Sequence, residues 1–183
     1  MSRQVSSKRE RTVETLLDAA EAQLRESGYD ALTIRNVAAR AGVAPATAYT
    51  YFKSKQHLVA EAYRRRIALL PTDEAGESPL ERLRDYFDRV GALLESHPAL
   101  ASGATVAMLA DQPEVREIQR QAARETRRRI AAALGDADPE VLTALDLTWA
   151  GLLISAGLGY VPHHQVGKHM STVADLLMKG SRA

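Results

Sequence analysis

No segment of this 183-residue chain alternates apolar and polar residues with the period of two that a half-buried strand requires. Its apolar residues recur instead at three and four, between glycine and proline breaks. That pattern predicts helix after helix. From Thr12 to Ser27, Val13, Leu16, Leu17, Ala20 and Leu24 share one face, and Gly28 ends the run. Thr33 is placed to cap a helix over 34–41 closed by Gly42, Pro45 suits the first turn of a short helix reaching Phe52, and Ser54 caps one from Lys55 to Leu70. Helices are predicted at 79–96, 98–110, 112–134, 138–160 and 165–179, and PTDEAGESP at 71–79 reads as a linker. The predicted fold class is all-α, with about nine helices.

The longest run free of Asp, Glu, Lys and Arg spans Leu147 to Gly167, but its apolar part ends at Pro162 and contains Gly151, Gly157 and Gly159. A membrane span needs about 20 mostly apolar residues, so this segment reads as a buried helix with no membrane partner. The polar, basic start MSRQVSSKRER is followed by no apolar signal segment, and Cys is absent. Both fit a cytoplasmic protein and exclude a disulfide framework.

Charge divides the chain. Through Arg66 there are 12 Lys and Arg against 7 Asp and Glu, a net of +5; the remainder carries 12 against 16, a net of −4. A basic front module favours a polyanion, and an acidic rear body does not. The expected organisation is a flexible basic arm at 1–10, a DNA-binding domain at 11–56, and a ligand-binding and dimerisation domain at 57–183.

Three short helices separated at Gly28-Tyr29 and Gly42-Val43-Ala44 have the spacing of a helix-turn-helix. Gly42 permits positive φ in the tight turn, and Val37, Ala38, Ala41, Val43, Ala48 and Phe52 supply inner faces. The outer face of the third helix is left with Pro45, Ala46, Thr47, Tyr49, Thr50 and Tyr51, followed by Lys53 and Lys55. Hydroxyls on a helix in the major groove bond phosphates and base edges, and small side chains admit close approach. Arg64-Arg65-Arg66 reads as a DNA-side stripe or as a solvated helix face, and Arg3, Lys8, Arg9 and Arg11 as a strip along the DNA backbone or in the minor groove.

The span LTIRNVAARAGVAPATAYTYFKSKQHLVAEA strongly resembles the TetR family of transcriptional regulators, with Thr33, Val37, Ala38, Ala41-Gly42-Val43, Thr47, Tyr49, Tyr51-Phe52, Ser54-Lys55 and Leu58 in register. The motif covers roughly residues 10–65. Ala44 and Ala46 depart from the Ser and Gly that the family often has, which removes a cap from the third helix. The resemblance implies that Tyr49 and Lys55 bind phosphate and that Arg35, Pro45, Ala46, Thr50 and Tyr51 face base edges. Thr33, Thr47 and Lys53 complete the expected DNA-binding set. It also implies a homodimer, a four-helix dimer bundle built from the last two helices, and a small-molecule effector. The expected mechanism is a repressor released from a palindromic operator when effector binding shifts the population of dimers, with 112–134 and its junction with 55–70 as the lever.

One helix-turn-helix reads few base pairs, so the rear body should dimerise. Gly151, Ser155 and Gly159 recur every four residues, and Val166, Met170, Val173 and Leu177 lie on a wide apolar face that includes Ala174 and Met178. The expected sensor lining is Tyr86, Phe87, Val90, Leu94, Met108, Ile118, Ala122, Leu145, Thr148, Trp149 and Leu152, apolar walls that suit a hydrophobic ligand. The segments DLTWAGLLISAGLG and VGKHMSTVADLLMKG are similar to the KstR group of steroid-catabolism regulators, whose effectors are steroid or acyl-CoA thioesters. His163, His164 and His169 lack the four-residue spacing of a helical zinc site, and there is no Cys nucleophile or phosphate loop. The chain is therefore expected to have no catalytic residues, metal or cofactor. A ligand-independent DNA-organising protein and an activator of the same fold are the alternatives.

Overall fold

The computed structural model describes residues 2–71, 76–135 and 138–180, with side chains from Lys8 onward. Nine α-helices and one 3-10 turn, His163–Gln165, account for its regular structure, and the described residues contain no strand. The helices are α1 (Ser2–Ala31), α2 (Ile34–Arg40), α3 (Pro45–Tyr51), α4 (Lys55–Ala68), α5 (Pro79–Ser96), α6 (Pro98–Met108), α7 (Pro113–Leu134), α8 (Pro139–Gly157) and α9 (Val166–Gly180).

Local chemistry sets most boundaries. Thr33 caps α2 by accepting from Asn36 N at 3.1 Å. Ser78 and Glu81 form a reciprocal capping box at α5. The α2–α3 turn closes with Gly42 N donating to Ala39 O at 3.2 Å and Val43 N to Ala38 O at 2.9 Å, which requires the positive φ of Gly42, 65°. Gly28, with φ 76° and ψ 176°, kinks α1 where the predicted helix ends. Residues 2–10, expected as an arm, are continuous with α1, because no Pro or Gly interrupts SRQVSSKRER. The 71–79 linker lies partly outside the described residues.

Two compact units form: Met1–Arg65 with Ala99–Ile118, and Arg66–Pro98 with Gln119–Ala183. By contacts, the division thus falls away from the expected 56/57 point. In the first unit α1 buries Leu16, Leu17, Ala20 and Leu24 among Leu32, Val37, Ala38, Ala48, Phe52 and Leu58. Gly103 brings α6 onto α1; a Cβ there would sit 3.3 Å from side-chain atoms of Leu24 and Tyr29. Arg65 spans from α4 to Glu14, Asp18 and Glu21 of α1 and so lies on neither the expected DNA-side stripe nor the solvated face, while Arg64 pairs with Glu61 one turn back on its own helix. Both are drawn to carboxylates within reach on their own unit.

In the second unit α5 packs on α9 at a backbone-close crossing through Gly91 and Gly167. Phe87, Val90, Leu145, Val166 and Met170 are fully buried there.

Candidate nucleic-acid interface

The α3 helix offers its outer face to solvent. Pro45, Ala46, Thr47, Tyr49 and Thr50 are exposed, Tyr51 is half-buried, and only Ala48 points fully inward. Ala44 caps α3 with no side-chain hydrogen bond, while Pro45 occupies the first turn and needs no N–H partner. The Thr50 hydroxyl donates to Ala46 O at 3.0 Å and so keeps lone pairs outward. Arg35 on α2 is exposed. The Thr33 hydroxyl, having accepted from Asn36, keeps its proton available for donation to an anion. Lys53 donates to Tyr49 O at 3.3 Å at the C-terminal end of α3.

Lys55 has a different setting from the rest. Its ammonium donates to Tyr29 O at 3.2 Å and lies 4.4 Å from the centre of the Tyr29 ring. It therefore tethers α4 to the end of α1, and a phosphate would have to share it with that carbonyl.

Three residues outside the expected set organise this face. Ser54 accepts from His57 N at 3.1 Å as the cap of α4 and donates to Gln112 Oε1 at 2.5 Å, joining the α3–α4 corner to the start of α7. His57 Nδ1 accepts Lys53 N–H at 3.3 Å, and its ring meets Phe52 edge-on. Arg9 of α1 lies over Tyr51, 5.8 Å from the ring centre. No sequence period marks such pairs, because each partner is distant in sequence or lies across a turn. Residue type alone hints at them, through Ser54 before a helix and His57 within one turn of Lys53.

Burial lowers the pKa of His57; Glu61 and Glu114 oppose that, and Lys53 adds to it. A base whose pKa is lower folded than unfolded leaves the native state with fewer bound protons. Stability is then lost as pH falls through the ordinary histidine value of about 6.5. Between neutral and mildly acidic pH the wild type should lose more stability than His57→Gln, whose amide oxygen still accepts Lys53 N–H. Urea melts at both pH values check this, and equal losses would rule out His57 as the titrating group.

The expected sensor residues divide between the units. Met108 and Ile118 belong to the first; Tyr86, Phe87, Val90, Leu94, Ala122, Leu145, Thr148, Trp149 and Leu152 belong to the second. Within the second, Tyr86 and Phe87 ring centres lie 5.1 Å apart and Phe87 and Trp149 5.5 Å apart, an aromatic cluster between α5 and α8. The Thr148 hydroxyl donates to Ala144 O at 2.8 Å. Buried Arg129, which no sequence pattern marks, lies 5.6 Å from the centre of the Tyr86 ring, with nitrogens 3.3–3.4 Å from Leu70 O and Pro71 O.

The expected dimer face needs correction. Val166 and Met170 are 0% exposed within the single chain, so α5 and the body of the unit already use that side of α9. Gly159 lies beyond the end of α8, where its φ of 81° closes a turn with Tyr160 N donating to Ser155 O at 2.9 Å. Exposed Gly151 and half-buried Ser155, Val173 and Leu177 remain. Beside them the structure exposes apolar residues not in the expected set: Leu147 at 71%, Ile154 at 40%, Leu158 at 59% and Leu176 at 65%. Leu147, Gly151, Ile154 and Leu158 fall at steps of four, three and four, one stripe along α8 and its cap. Among the described residues α8 is also the helix long and apolar enough to cross a membrane. Its inward face is fixed by Val141, Leu145, Trp149 and Ala156, and Asp146 is paired with Arg127.

No group of three or more His, Asp or Glu among the described residues is arranged to hold a metal ion.

Residues 16–62 match the family described as bacterial regulatory proteins, tetR family. An uncharacterized HTH-type transcriptional regulator of Mycobacterium tuberculosis is 38% identical over 175 residues, covering 93% of this chain and 82% of that protein. The HTH-type transcriptional repressor KstR of Rhodococcus jostii is 35% identical over 128 residues, 68% of this chain and 60% of that protein. The crystal structure of a TetR transcriptional regulator from Rhodococcus sp. RHA1 superposes with a TM-score of 0.76 at 26% identity, covering 92% of this chain and 96% of that one.

Proposed function

This chain belongs to the tetR family of transcriptional regulators, and from that premise we propose that it is a homodimeric repressor that leaves a palindromic operator when a hydrophobic small molecule enters its second unit. The observation that carries the DNA-binding half is the exposed face of α3. It bears Thr47, Tyr49 and Thr50 with small Pro45 and Ala46 and is held out by the Gly42 turn. Thr47, Tyr49, Lys53 and Thr33 bind backbone phosphates; Arg35, Pro45, Ala46, Thr50 and Tyr51 face base edges, with Arg35 as the bidentate guanine reader. Lys55 acts chiefly by holding α4 to α1, and its phosphate contact is secondary. This is the work of a DNA-binding regulator of the bacterial cytoplasm, with no catalysis and no cofactor.

Dimerisation follows from the α8 stripe. Contiguous exposed apolar surface of this kind marks a protein interface, and family members act as dimers. The interface is Leu147, Gly151, Ile154 and Leu158 of α8 with Val173, Leu176 and Leu177 of α9. A Cβ at Gly151 meets nothing within 4 Å in the single chain. Gly151→Leu should therefore leave the fold of each chain intact while forcing the paired helices apart. Sedimentation should show monomer in place of dimer, and operator affinity should fall with it. A dimer of normal stability would remove this interface.

The effector meets the aromatic cluster Tyr86, Phe87 and Trp149 with Val90, Leu94, Leu145 and Leu152. Its chemistry is hydrophobic and weakly polar, and the likeness to KstR makes steroid and acyl-CoA thioesters the first compounds to screen. Bound sequences selected from random DNA, followed by release assays with these compounds, test the whole reading. A protein that binds no duplex at low ionic strength overturns it. One that binds an operator but responds to no compound, and whose Trp149→Ala variant behaves as wild type, is instead a ligand-independent DNA-organising protein.

A further inference from the structure

Resting on the DNA-binding function proposed above, we infer that Arg9 is a positioning residue for base readout: lying over Tyr51, it fixes the ring that α3 presents to the base edges. The guanidinium carbon is 5.8 Å from the centre of that ring, within the reach of a cation–π contact. Helix register supports the role. Arg9 lies one turn ahead of Val13 on the face of α1 that carries Leu16, Leu17, Ala20 and Leu24 into the core. Lys8 and Arg11 fall on other sides of the helix. Of these three basic residues it is Arg9 that continues the inward face, past the end of the apolar core and onto α3.

Tyr51 needs such support because its own helix supplies little. It is the last residue of α3, and Phe52 is extended with φ −124° and ψ 113°, so no residue one turn further along the same helix covers the ring. In the other direction positions i−3 and i−4 are Ala48, which is turned into the core, and Thr47, which is small and exposed. A tyrosine side chain turns about two bonds. A base edge is read only when the reading group is held in place, and that is done by the residues packed on it. A ring free to swing meets neighbouring bases alike and loses discrimination, whereas phosphate contacts, which depend on charge, survive. The flat guanidinium suits an aromatic face better than a lysine ammonium does. Arg9 thus acts through Tyr51, in place of the backbone or minor-groove contact that its charge alone suggests.

The test uses the full chain and measures affinity across a salt series for a selected operator, its single-base variants and a random duplex. Arg9→Met should lower the ratio of operator to random-duplex affinity by about two- to fivefold, the size of a cation–π contact at an exposed site. The loss should fall at the base pairs that Tyr51→Leu also ceases to discriminate. The slope of log K against log salt should stay within a fraction of one unit of wild type. Arg9→Lys, which keeps a cation, should retain most of the ratio, and in a Tyr51→Leu background Arg9→Met should change it no further. An unchanged ratio for Arg9→Met, shown to be folded by thermal melts, would overturn the inference. So would equal loss on both duplexes with a slope flattened by about one unit, which marks a phosphate contact, or further loss in the Tyr51→Leu background, which marks direct readout by Arg9. Full discrimination by Tyr51→Leu would remove the ring from readout and the role of Arg9 with it. All four outcomes leave the proposed regulator standing, whereas wild-type protein that binds neither duplex would sink the underlying function.

Discussion

Arg65→Met should lower the stability of the first unit by about 3–5 kcal/mol. Arg65 donates through Nη1 to Glu14 at 2.6 Å and through Nη2 to Asp18 at 2.7 Å and Glu21 at 2.7 Å. Desolvation pulls its pKa down, but three carboxylates outweigh that and raise it, so the guanidinium stays charged at any working pH. The three contacts are not equal. Glu14 and Asp18 are exposed, and pairs of that kind contribute little. Glu21 is 2% exposed on the inner face of α1, and taking the cation away leaves a buried carboxylate whose charge the guanidinium no longer matches. Chemical denaturation of the single variants and of Arg65→Met with Glu21→Gln closes a double-mutant cycle, and most of the loss should be recovered in the pair. A single-variant loss below about 1 kcal/mol, the ceiling for exposed pairs, would show that Glu21 is not held by this contact.

Gly167→Ala should cost the second unit about 3 kcal/mol, the upper end of the overpacking range, while Gly91→Ala at the same crossing should be neutral or stabilising. The Cβ of an alanine at 167 would lie 2.6 Å from Phe87 O and 3.0 Å from its carbonyl carbon, both backbone atoms that no rotamer change can move. Relief requires α9 to withdraw from α5. A Cβ at 91 meets Gly167 N only at 3.4 Å, ordinary contact, and alanine gains about 1 kcal/mol of helix propensity over glycine. Because Phe87 also packs against Trp149, Gly167→Ala should disturb the proposed effector site as well, and a weaker effector response should accompany the lost stability. Denaturation midpoints of the two variants decide the matter. Equal effects would mean that the α5–α9 crossing is not limited by backbone contact.

Much of the fold is legible in the residues because its determinants are local. Thr33, Ser54, Pro45 and Gly42 act within three or four residues of themselves, through a cap, a ring or a permitted φ, and each lies where the chain makes that boundary. The polar and small outer face of α3 is legible for the same reason, since the inner positions of so short a helix are few. Where the sequence pattern misplaces residues, the cause is long range. The α9 pattern shows a wide apolar face, but nothing within it says that Val166 and Met170 meet α5 of the same chain while Leu176 stays outside. A four-residue spacing makes Gly159 look helical, yet α8 closes before it because Gly159 adopts positive φ.

The sequence by itself determined that the chain is helical, where nearly every helix starts and stops, and which short helix carries hydroxyls outward, since hydrogen bonds three and four residues apart and single-residue φ preferences encode all of these. Tertiary structure alone decided which side of each apolar face is covered, that Arg65 serves a buried Glu21 and not a polyanion, that Lys55 ties α4 to Tyr29, and that Leu147, Ile154 and Leu158 are left exposed. Those outcomes depend on which surfaces compete for the same neighbour, and that competition is settled only when elements far apart in the chain are packed together.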